Sequence, residues 1–306
     1  MTVHAGEPLV SGKVRLKLPS GWSSSPADIP FDLKEREDET SATFQVSPAS
    51  TPGMGTLEAV ADAGGITVSR SVLRIEYPHI PVQTLFPLAE SRLVRLDVKS
   101  DAKDIGYIMG SGDDVPGILR QLGLNVTLLS DDDLEAMDLS RFRTIVAGVR
   151  AYNTRPRLKQ LQKRLLDYVQ AGGTLVVQYN TSNELVTDPL GPYPFKISRE
   201  RVTVEEAPVA FLNPVHPLVK QPNRIVPADF SDWVQERGLY FAEPWDPRYE
   251  TVLSSHDPNE TEKKGGLLYA HVGKGAFVYT GYSFFRQLPA GVPGAIRLFA
   301  NLISAR

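Results

Sequence analysis

The chain of 306 residues contains no cysteine. This absence excludes three things at once: a disulfide framework, a zinc site with thiolate ligands and a cysteine nucleophile. Charge of one sign is not in excess either, because 33 Lys and Arg stand against 36 Asp and Glu and the net charge is −3. The composition therefore gives no reason to expect nucleic acid or an anionic membrane as a partner.

Long apolar runs are also missing. No uninterrupted run approaches the roughly 20 residues that a helix needs to cross a bilayer, so we predict no membrane span. The N-terminus lacks the apolar segment of a signal peptide, and a strand pattern begins as early as Gly12, a start typical of an excised piece of a longer protein. The remaining composition, 42% hydrophobic and 23% charged, is that of a globular protein with about two domains.

The first part of the chain has the period of two that β-strands show. Val14, Leu16 and Leu18 alternate with basic residues, and turn signals rich in glycine and proline separate this run from the next ones. Several short strands at this spacing predict an all-β sandwich module, immunoglobulin-like (Ig-like) in type, over residues 1–77. Prolines then become frequent, and we predict a stiff, extended linker over residues 78–92.

From residue 93 onward, apolar strands alternate with amphipathic helices. This alternation predicts a flavodoxin-like α/β domain over residues 93–306, with an open parallel sheet and helices on both faces. The proline-rich stretch 183–270 is less regular and is assigned to extra strands and long loops. The predicted strands cover 104–110, 125–130, 144–149, 174–178 and 275–280. The predicted helices include 115–122, a short helix opened by 131–133, a long helix capped by Asn153 or Thr154 that ends at Gly172, and 295–303.

The loops after the strands are the places where a ligand is expected. In an open α/β sheet, ligands bind outside the carboxyl ends of the strands, which here selects loops 110–114, 150–154, 179–182 and 282–286. Aromatic rings together with amide and guanidinium donors suit the hydroxyl groups of a sugar. The expected ligand-binding side chains are Arg150, Tyr152, Asn153, Asn180, Tyr282 and Arg286.

Two charged stretches in these loops allow opposite interpretations. Asp113 and Asp114 precede a helix, where backbone amides bind anions, but capping of that helix is the favoured interpretation. Residues 141–164 contain eight Lys or Arg and no Asp or Glu. They either bind an anion or form a solvated face that balances the acidic stretch 101–138. The second interpretation is favoured, and Arg150 is the best functional candidate among these cations.

Evidence for catalysis in the sequence is weak. Residues 179–182 stand where many α/β hydrolases carry a nucleophile elbow, but the flanking glycines of a GxSxG motif are missing. HExxH, GxGxxG at the start of a helix and an EF-hand loop are absent as well. A hydroxyl nucleophile with His216 as its base therefore stays a minor alternative. The hydroxyl candidates are Ser111, Thr181, Ser182 and Ser283.

Three longer segments carry a resemblance to a known family. YIMGSGDDVPGILRQLGLNVTLL (107–129), DFSDWVQERGLYFAEPWDPRY (229–249) and GKGAFVYTGYSFFRQLPAGVPGAIRLFANL (273–302) resemble the C-terminal region of large bacterial PIG-L/LmbE-type de-N-acetylases. The resemblance covers most of residues 93–306 and implies a domain similar to class I glutamine amidotransferases. The N-terminal LPSGW (18–22) and FQVSP (44–48) look like β-sandwich modules found beside glycan-active enzymes.

The resemblance implies an accessory role and transfers no catalytic residue. In the family, catalysis belongs to a separate domain with a zinc site of His and Asp, whose PHxDD-type motif has no match here. Amidotransferases use a Cys nucleophile, and none exists in this chain. Zinc is thus expected only in the catalytic domain of the parent protein, which would be the main partner. Export to the periplasm or beyond is implied by the family alone.

Three functions follow from these observations. The leading hypothesis is a non-catalytic region that positions substrate in a zinc-dependent deacetylase of N-acetylated sugars. The second is a stand-alone module that binds a glycan or a small polar ligand at the strand-end crevice. The third is a hydrolase that uses a serine or threonine with His216.

Overall fold

The computed structural model describes all residues, 1–306, and they form two compact units. The first unit is Met1–Asp97 and the second is Val98–Arg306. The boundary lies within a few residues of the predicted change of pattern at residue 93. Two units of different composition were therefore predictable from the sequence.

The first unit is built from β-strands alone, as the period of two predicts. Five strands form an antiparallel sheet in the order β11-β7-β2-β4, with β8 paired to β7, and the rest form the pairs β1–β5, β3–β6 and β9–β10. The strands are β1 (Thr2–His4), β2 (Val10–Lys17), β3 (Ser23–Ser25), β4 (Asp28–Leu33), β5 (Glu39–Ser41), β6 (Gln45–Ser47), β7 (Gly53–Ala63), β8 (Ile66–Val68), β9 (Leu73–Tyr77), β10 (Ile80–Leu85) and β11 (Glu90–Arg95).

A small apolar core holds the first unit together. Val14 on β2 and Phe31 and Leu33 on β4 point to the same side of the main sheet, where they meet the buried Ala5 and Ala42. The alternation of apolar and polar residues along these strands places the apolar side chains on this one face.

The predicted linker over residues 78–92 is wrong, because this stretch folds as strands. β9 and β10 form an antiparallel hairpin, and β11 pairs with β7 along its whole length. Pro78 lies in the turn of the hairpin, and Pro81 lies where the register of the two strands shifts. Proline is tolerated at such irregular positions because they need no ladder hydrogen bond, so these prolines mark a turn and a bulge.

The second unit alternates strands and helices. Its strands are β12 (Asp104–Ile108), β13 (Asn125–Leu128), β14 (Thr144–Ala147), β15 (Thr174–Val177), β16 (Phe195–Ile197), β17 (Val209–Phe211), β18 (Ala242–Trp245), β19 (Glu250–Thr251), β20 (Leu253–Ser255), β21 (Leu267–Val272) and β22 (Gly275–Thr280). Its helices are α1 (Val115–Gln121), α2 (Asp131–Ala136), α3 (Ala151–Thr154), α4 (Leu158–Ala171), α5 (Pro217–Lys220), α6 (Phe284–Gln287) and α7 (Pro293–Ile303), with 3₁₀ turns at Leu139–Arg141 and Pro227–Phe230.

A seven-stranded sheet in the order β13-β12-β14-β15-β22-β21-β19 organises the second unit. The first five strands in this order are parallel, and β21 and β19 extend the sheet in antiparallel pairing. The predicted α/β domain with a parallel sheet is therefore confirmed. Because the five strands run the same way, the loops after β12, β14, β15 and β22 all leave the same edge of the sheet.

Two longer helices bury the sheet. Leu158, Leu161, Leu165 and Val169 form the apolar stripe of α4, and all four are buried in the main core. Helix α7 is buried over most of its length, from Gly294 to Ile303. None of the helices has the combination of length and apolar character that crossing a membrane requires.

Candidate functional site

The sharpest turn at the edge of the sheet lies between β14 and α3. Gly148 and Val149 follow β14, and Arg150 then adopts a left-handed conformation with φ 57° and ψ 24°. Such a conformation is uncommon for a residue other than glycine, and a strained turn from strand to helix is the geometry of a nucleophile elbow. The sequence-based placement of an elbow at residues 179–182 is therefore wrong, because a loop and not a helix follows β15.

Backbone hydrogen bonds clamp this turn to its neighbours. The Arg150 nitrogen donates to the Tyr179 oxygen over 2.9 Å, and the Ser111 nitrogen donates to the Val149 oxygen over 2.9 Å. The loop after β12 approaches so closely that a Cβ atom on Gly110 would lie 2.1 Å from the Val149 oxygen. The ends of β12, β14 and β15 are thus fixed to one another.

Asp113 fills the space between these strand ends with structural hydrogen bonds. Its carboxylate accepts from the Tyr107 hydroxyl (2.6 Å), from the Val115 nitrogen (3.1 Å) and from the Val149 nitrogen (3.2 Å). Burial, and secondly the charge of Asp113, raise the pKa of Tyr107 well above its usual value. The favoured interpretation of this loop as helix capping is borne out, although the residue that caps is Asp113, and Asp114 makes no capping bond.

Arg150 differs from the other cations of the basic stretch. Arg155 forms an ion pair with Asp131, and Arg157 forms ion pairs with Asp132 and Glu135. These pairs neutralise the acidic residues of α2, as the interpretation of a balancing face predicts.

The Arg150 guanidinium, in contrast, makes no hydrogen bond or ion pair within the chain, and its Nε atom is buried without a partner. Buried polar atoms in proteins are nearly always hydrogen-bonded. Arg150 therefore stands out as the one arginine of this edge whose charge no carboxylate of the chain neutralises.

Three partly exposed aromatic rings lie beside this turn. The Tyr179 ring stacks on the Tyr240 ring with 5.7 Å between centroids and 8° between planes, and it lies 5.2 Å from the Phe285 ring. Tyr240 is itself in a left-handed conformation, with φ 54°. The guanidinium of Arg286 covers Phe285, 4.8 Å from its centroid.

The charges around Tyr179 are mixed. Arg286 Nε donates to a carboxylate oxygen of Glu236 over 2.8 Å, whereas Arg150 has no such partner. Partial burial raises the pKa of Tyr179, and the positive charge of Arg150 opposes this rise. Cations, one carboxylate and three rings thus share the edge after β15 and β22.

Two of the expected ligand contacts, Tyr152 and Asn180, are instead buried. The Tyr152 hydroxyl donates to Gln162 Oε1 (2.8 Å). Asn180 accepts a bond from the Tyr152 nitrogen (2.9 Å) and donates to the Gln178 oxygen (2.9 Å). The prediction that they contact a ligand is corrected, because both side chains are buried and form hydrogen bonds within the chain at the strand ends.

Tyr282 and Asn153 also have structural partners. Tyr282 is 1% exposed, its hydroxyl lies 3.2 Å from that of Ser255, and burial raises its pKa to about 12. Asn153 is half-buried and ties down the next loop by donating to the oxygens of Thr181 (3.2 Å) and Asn183 (2.8 Å). Of the six expected ligand-binding residues, Arg150 and Arg286 are the two partly exposed ones whose charges act on Tyr179.

The hydroxyl candidates for a nucleophile are bonded elsewhere. The hydroxyls of Ser111 and Thr181 donate to backbone oxygens, over 3.3 and 3.2 Å. Buried Ser283 donates to Glu236 over 3.3 Å, and the Ser182 hydroxyl has no bond to an imidazole. A serine or threonine paired with a histidine base is therefore not formed.

His216 is a structural residue beside β19 and β21, the antiparallel strands at one edge of the sheet. Its Nδ1 accepts a bond from the Leu218 nitrogen (3.1 Å) and so caps α5, while its ring meets Tyr269 edge-on. Its Nε2 lies 3.6 Å from the carboxylate of Glu250 on β19. Burial lowers the pKa of His216, and Glu250 opposes this shift. The imidazole is engaged with its own helix and with β19 and β21, which removes it as a base for the hydroxyls at the strand ends.

Tyr240, Phe285 and Glu236 are site residues that the sequence analysis missed. Phe285 follows β22 within a few residues, so its position in a strand-end loop was a usable signal. Tyr240 and Glu236 come from the irregular stretch 183–270, and no local pattern links them to Tyr179. The structure contains no group of three or more His, Asp or Glu side chains placed to hold a metal ion.

The sequence matches no protein-family model, and no curated protein matches it. Solved structures that resemble the chain in part include the following three. They are cytoplasmic protein STM3548 from Salmonella typhimurium (14% identity, TM-score 0.44, 67% of this chain and 99% of that one), a cold-adapted β-galactosidase from Rahnella sp. R3 (16%, 0.39, 65% and 31%), and PurLQS from Thermotoga maritima (12%, 0.42, 66% and 98%). All identities and TM-scores are low, so the function has to be argued from the site itself.

Proposed function

We propose that this chain is a non-catalytic accessory region that positions substrate for a zinc-dependent deacetylase of N-acetylated sugars. The observation that carries the proposal is the identity of the residue in the strained turn after β14. An elbow of this kind presents a nucleophile in hydrolases, and here it presents Arg150. A guanidinium has no lone pair available for attack but binds anions well, so the turn is suited to holding a ligand.

The finer fold assignment belongs to the same proposal. Numbered along the chain, the five parallel strands have the order 2-1-3-4-5, which is the order of flavodoxin-like sheets. We propose that the second unit is such a domain, similar to class I glutamine amidotransferases, with the nucleophile replaced. The first unit would be an Ig-like sandwich module.

The resemblance of three long segments to PIG-L/LmbE-type de-N-acetylases motivates the parent activity. Zinc would then be held in a separate catalytic domain, which is the expected partner of this chain. Hydrolysis by a serine or threonine with His216 has no support, since neither ring nitrogen of His216 is directed at a hydroxyl.

The test is a comparison of the full-length parent with a variant from which the segment that corresponds to this chain has been deleted. Deacetylation of N-acetylglucosamine and of its oligomers would be followed for both. We expect the variant to have an unchanged kcat on the monosaccharide and a KM at least severalfold higher on the oligomers. Equal kinetics on the oligomers, together with equal thermal stability, would refute the accessory role.

A matched parent variant, His216→Asn with Ser182→Ala, separates the accessory role from catalysis by this region. The asparagine keeps an acceptor for the cap of α5. We expect the kinetics of this double variant to equal those of the unaltered parent. A large loss of kcat would instead favour the hydrolase alternative.

A further inference from the structure

We infer that the face formed by Arg150, Tyr179, Tyr240 and Phe285, here called the aromatic–arginine face, binds a sugar residue that carries a carboxylate. The inference names a ligand class for the site that the proposed function leaves open. It rests on that proposal in one respect, namely that the turn at Arg150 binds and does not catalyse.

The unpaired charge of Arg150 is the reason to expect an anionic ligand. Its guanidinium has no acceptor within the chain, and its Nε atom is buried. A planar carboxylate matches a guanidinium because two parallel N–H···O bonds form at once. The two terminal nitrogens of the guanidinium have no acceptor within the chain and, unlike Nε, are not buried, so a bound carboxylate would accept from them.

The geometry of the rings excludes a base inserted between Tyr179 and Tyr240. A base inserted between two rings needs them about 7 Å apart, which is two contacts of about 3.5 Å. The Tyr179 and Tyr240 rings are already stacked at 5.7 Å, and the Phe285 ring lies 5.2 Å from Tyr179, so a ligand can pack only on the ring surface that this cluster leaves uncovered. The C–H face of a pyranose would pack on this uncovered surface, as apolar surface does on aromatic side chains in ligand sites.

Glu236 argues against a phosphate group at the same face. Its carboxylate is bound by Arg286 over 2.8 Å and also accepts from the Ser283 hydroxyl. A carboxylate repels a phosphate dianion but accepts hydrogen bonds from sugar hydroxyls. Glu236 repels any anion, but it repels the two charges of a phosphate monoester more than the single charge of a sugar carboxylate, so this face favours a monoanionic sugar.

Two residues with strained backbone conformations both contact Tyr179. Arg150 and Tyr240 are both held in left-handed conformations. Arg150 is hydrogen-bonded to the backbone of Tyr179, and Tyr240 is stacked on its ring. Strained residues persist where the surrounding structure needs a particular side-chain position, and they cluster at ligand sites.

The test uses this chain in calorimetric titrations with three probes: D-glucuronate, D-glucose and guanosine monophosphate. The key variant is Arg150→Asn, because asparagine tolerates the left-handed conformation and removes the charge. We expect it to weaken glucuronate binding by about tenfold or more, the size of a lost charge-assisted hydrogen bond, and to leave glucose binding unchanged. Phe285→Ala should weaken both sugars.

Tyr193→Ala is the matched control. Tyr193 is another partly exposed ring covered by a guanidinium, with Arg248 3.8 Å from its centroid. This variant should bind both sugars like the unaltered chain.

Three results would overturn the inference. They are glucuronate binding no tighter than glucose, equal glucuronate affinity in the folded Arg150→Asn variant, or tighter binding of guanosine monophosphate than of glucuronate. Circular dichroism of each variant establishes that it is folded. Because the titrations use this chain alone, they fail or succeed independently of the deletion experiment on the parent.

Discussion

The backbone nitrogen of Arg150 donates a hydrogen bond to the backbone oxygen of Tyr179 over 2.9 Å. This bond joins the ends of β14 and β15 and brings an unpaired guanidinium next to a partly exposed ring. The charge of Arg150 acts on the Tyr179 hydroxyl, whose pKa burial raises. One backbone bond therefore assembles the two chemical features on which the proposed site depends.

The strain at Arg150 gives a prediction about stability. A left-handed conformation costs an L-residue roughly 1–2 kcal/mol, and glycine is exempt from this cost. We expect Arg150→Gly to leave the free energy of unfolding within about 1 kcal/mol, since the strain it relieves offsets the added entropy of the unfolded chain. Arg150→Val should lower it by at least about 1 kcal/mol, because a β-branched residue fits this conformation poorly. Urea denaturation measures both, and equal stability of the two variants would contradict a strained turn.

Asp113 gives a second prediction. Asp113→Ala removes the acceptor for the Tyr107 hydroxyl and for two backbone nitrogens. We expect a loss of roughly 3 kcal/mol in the free energy of unfolding, because these donors are left in or near the interior without a carboxylate. Asp114→Ala is the control, since Asp114 is exposed and makes no capping bond. A similar small effect of both substitutions would argue against the structural role of Asp113.

Two buried threonines anchor the C-terminal end of α7. The hydroxyl of Thr144 donates to the Ile303 oxygen (2.5 Å), and that of Thr174 donates to the Ala305 oxygen (2.6 Å). Thr144→Val keeps the shape and removes the donor, so we expect a loss of about 1–2 kcal/mol. Thr127→Val on the exposed side of β13 should change stability much less. Thermal unfolding of both variants is the measurement, and an unaltered midpoint for Thr144→Val would contradict the anchoring role.

The buried imidazole of His216 predicts a dependence of stability on pH. Burial lowers its pKa in the folded state below the ordinary value of 6.5, so the unfolded chain binds the proton more readily. Stability from this group is complete above about pH 6.5 and falls as the pH drops toward the folded pKa. Glu250 and Tyr269 face the ring, and neither reverses this direction.

Urea denaturation between about pH 7.5 and about pH 5 checks this effect. His216→Asn keeps an acceptor for α5 and cannot titrate, so it should lose less stability on acidification than the unaltered chain. His271→Asn, at an exposed position, should behave like the unaltered chain. Equal losses for His216→Asn and the unaltered chain would contradict the assignment.

The sequence was most informative where periodicity is strong. Strand β22 and helix α1 lie where the pattern predicts them, because an apolar run or a helical stripe decides such elements locally. Helix α4 ends at Gly172 as predicted but begins at Leu158, because residues 151–154 form the separate helix α3. The prolines of 78–92 misled the prediction, because a proline in a bulge or a hairpin turn has the same local signature as one in a linker.

The site was less predictable because its parts are distant in sequence. The sequence indicated Arg150 as a candidate because it lies in a predicted strand-end loop, and the structure places it in the turn between β14 and α3. Its left-handed conformation and its lack of a partner depend on tertiary structure. Tyr240 reaches Tyr179 from an irregular segment about 60 residues later, and no periodicity encodes that contact. Tyr152 and Tyr282 were expected at the surface, whereas sheet packing buries both.

The most direct test of the central claim is a titration of the isotopically labelled chain with D-glucuronate, followed by the shifts of its backbone amide resonances. A ligand on the aromatic–arginine face should produce saturable shifts concentrated at Arg150, Tyr179 and Phe285. The resonances around His216, which lies beside β19 and β21, should not shift. Shifts that centre on His216 or Ser182, or no saturable shift at Arg150, would contradict the account.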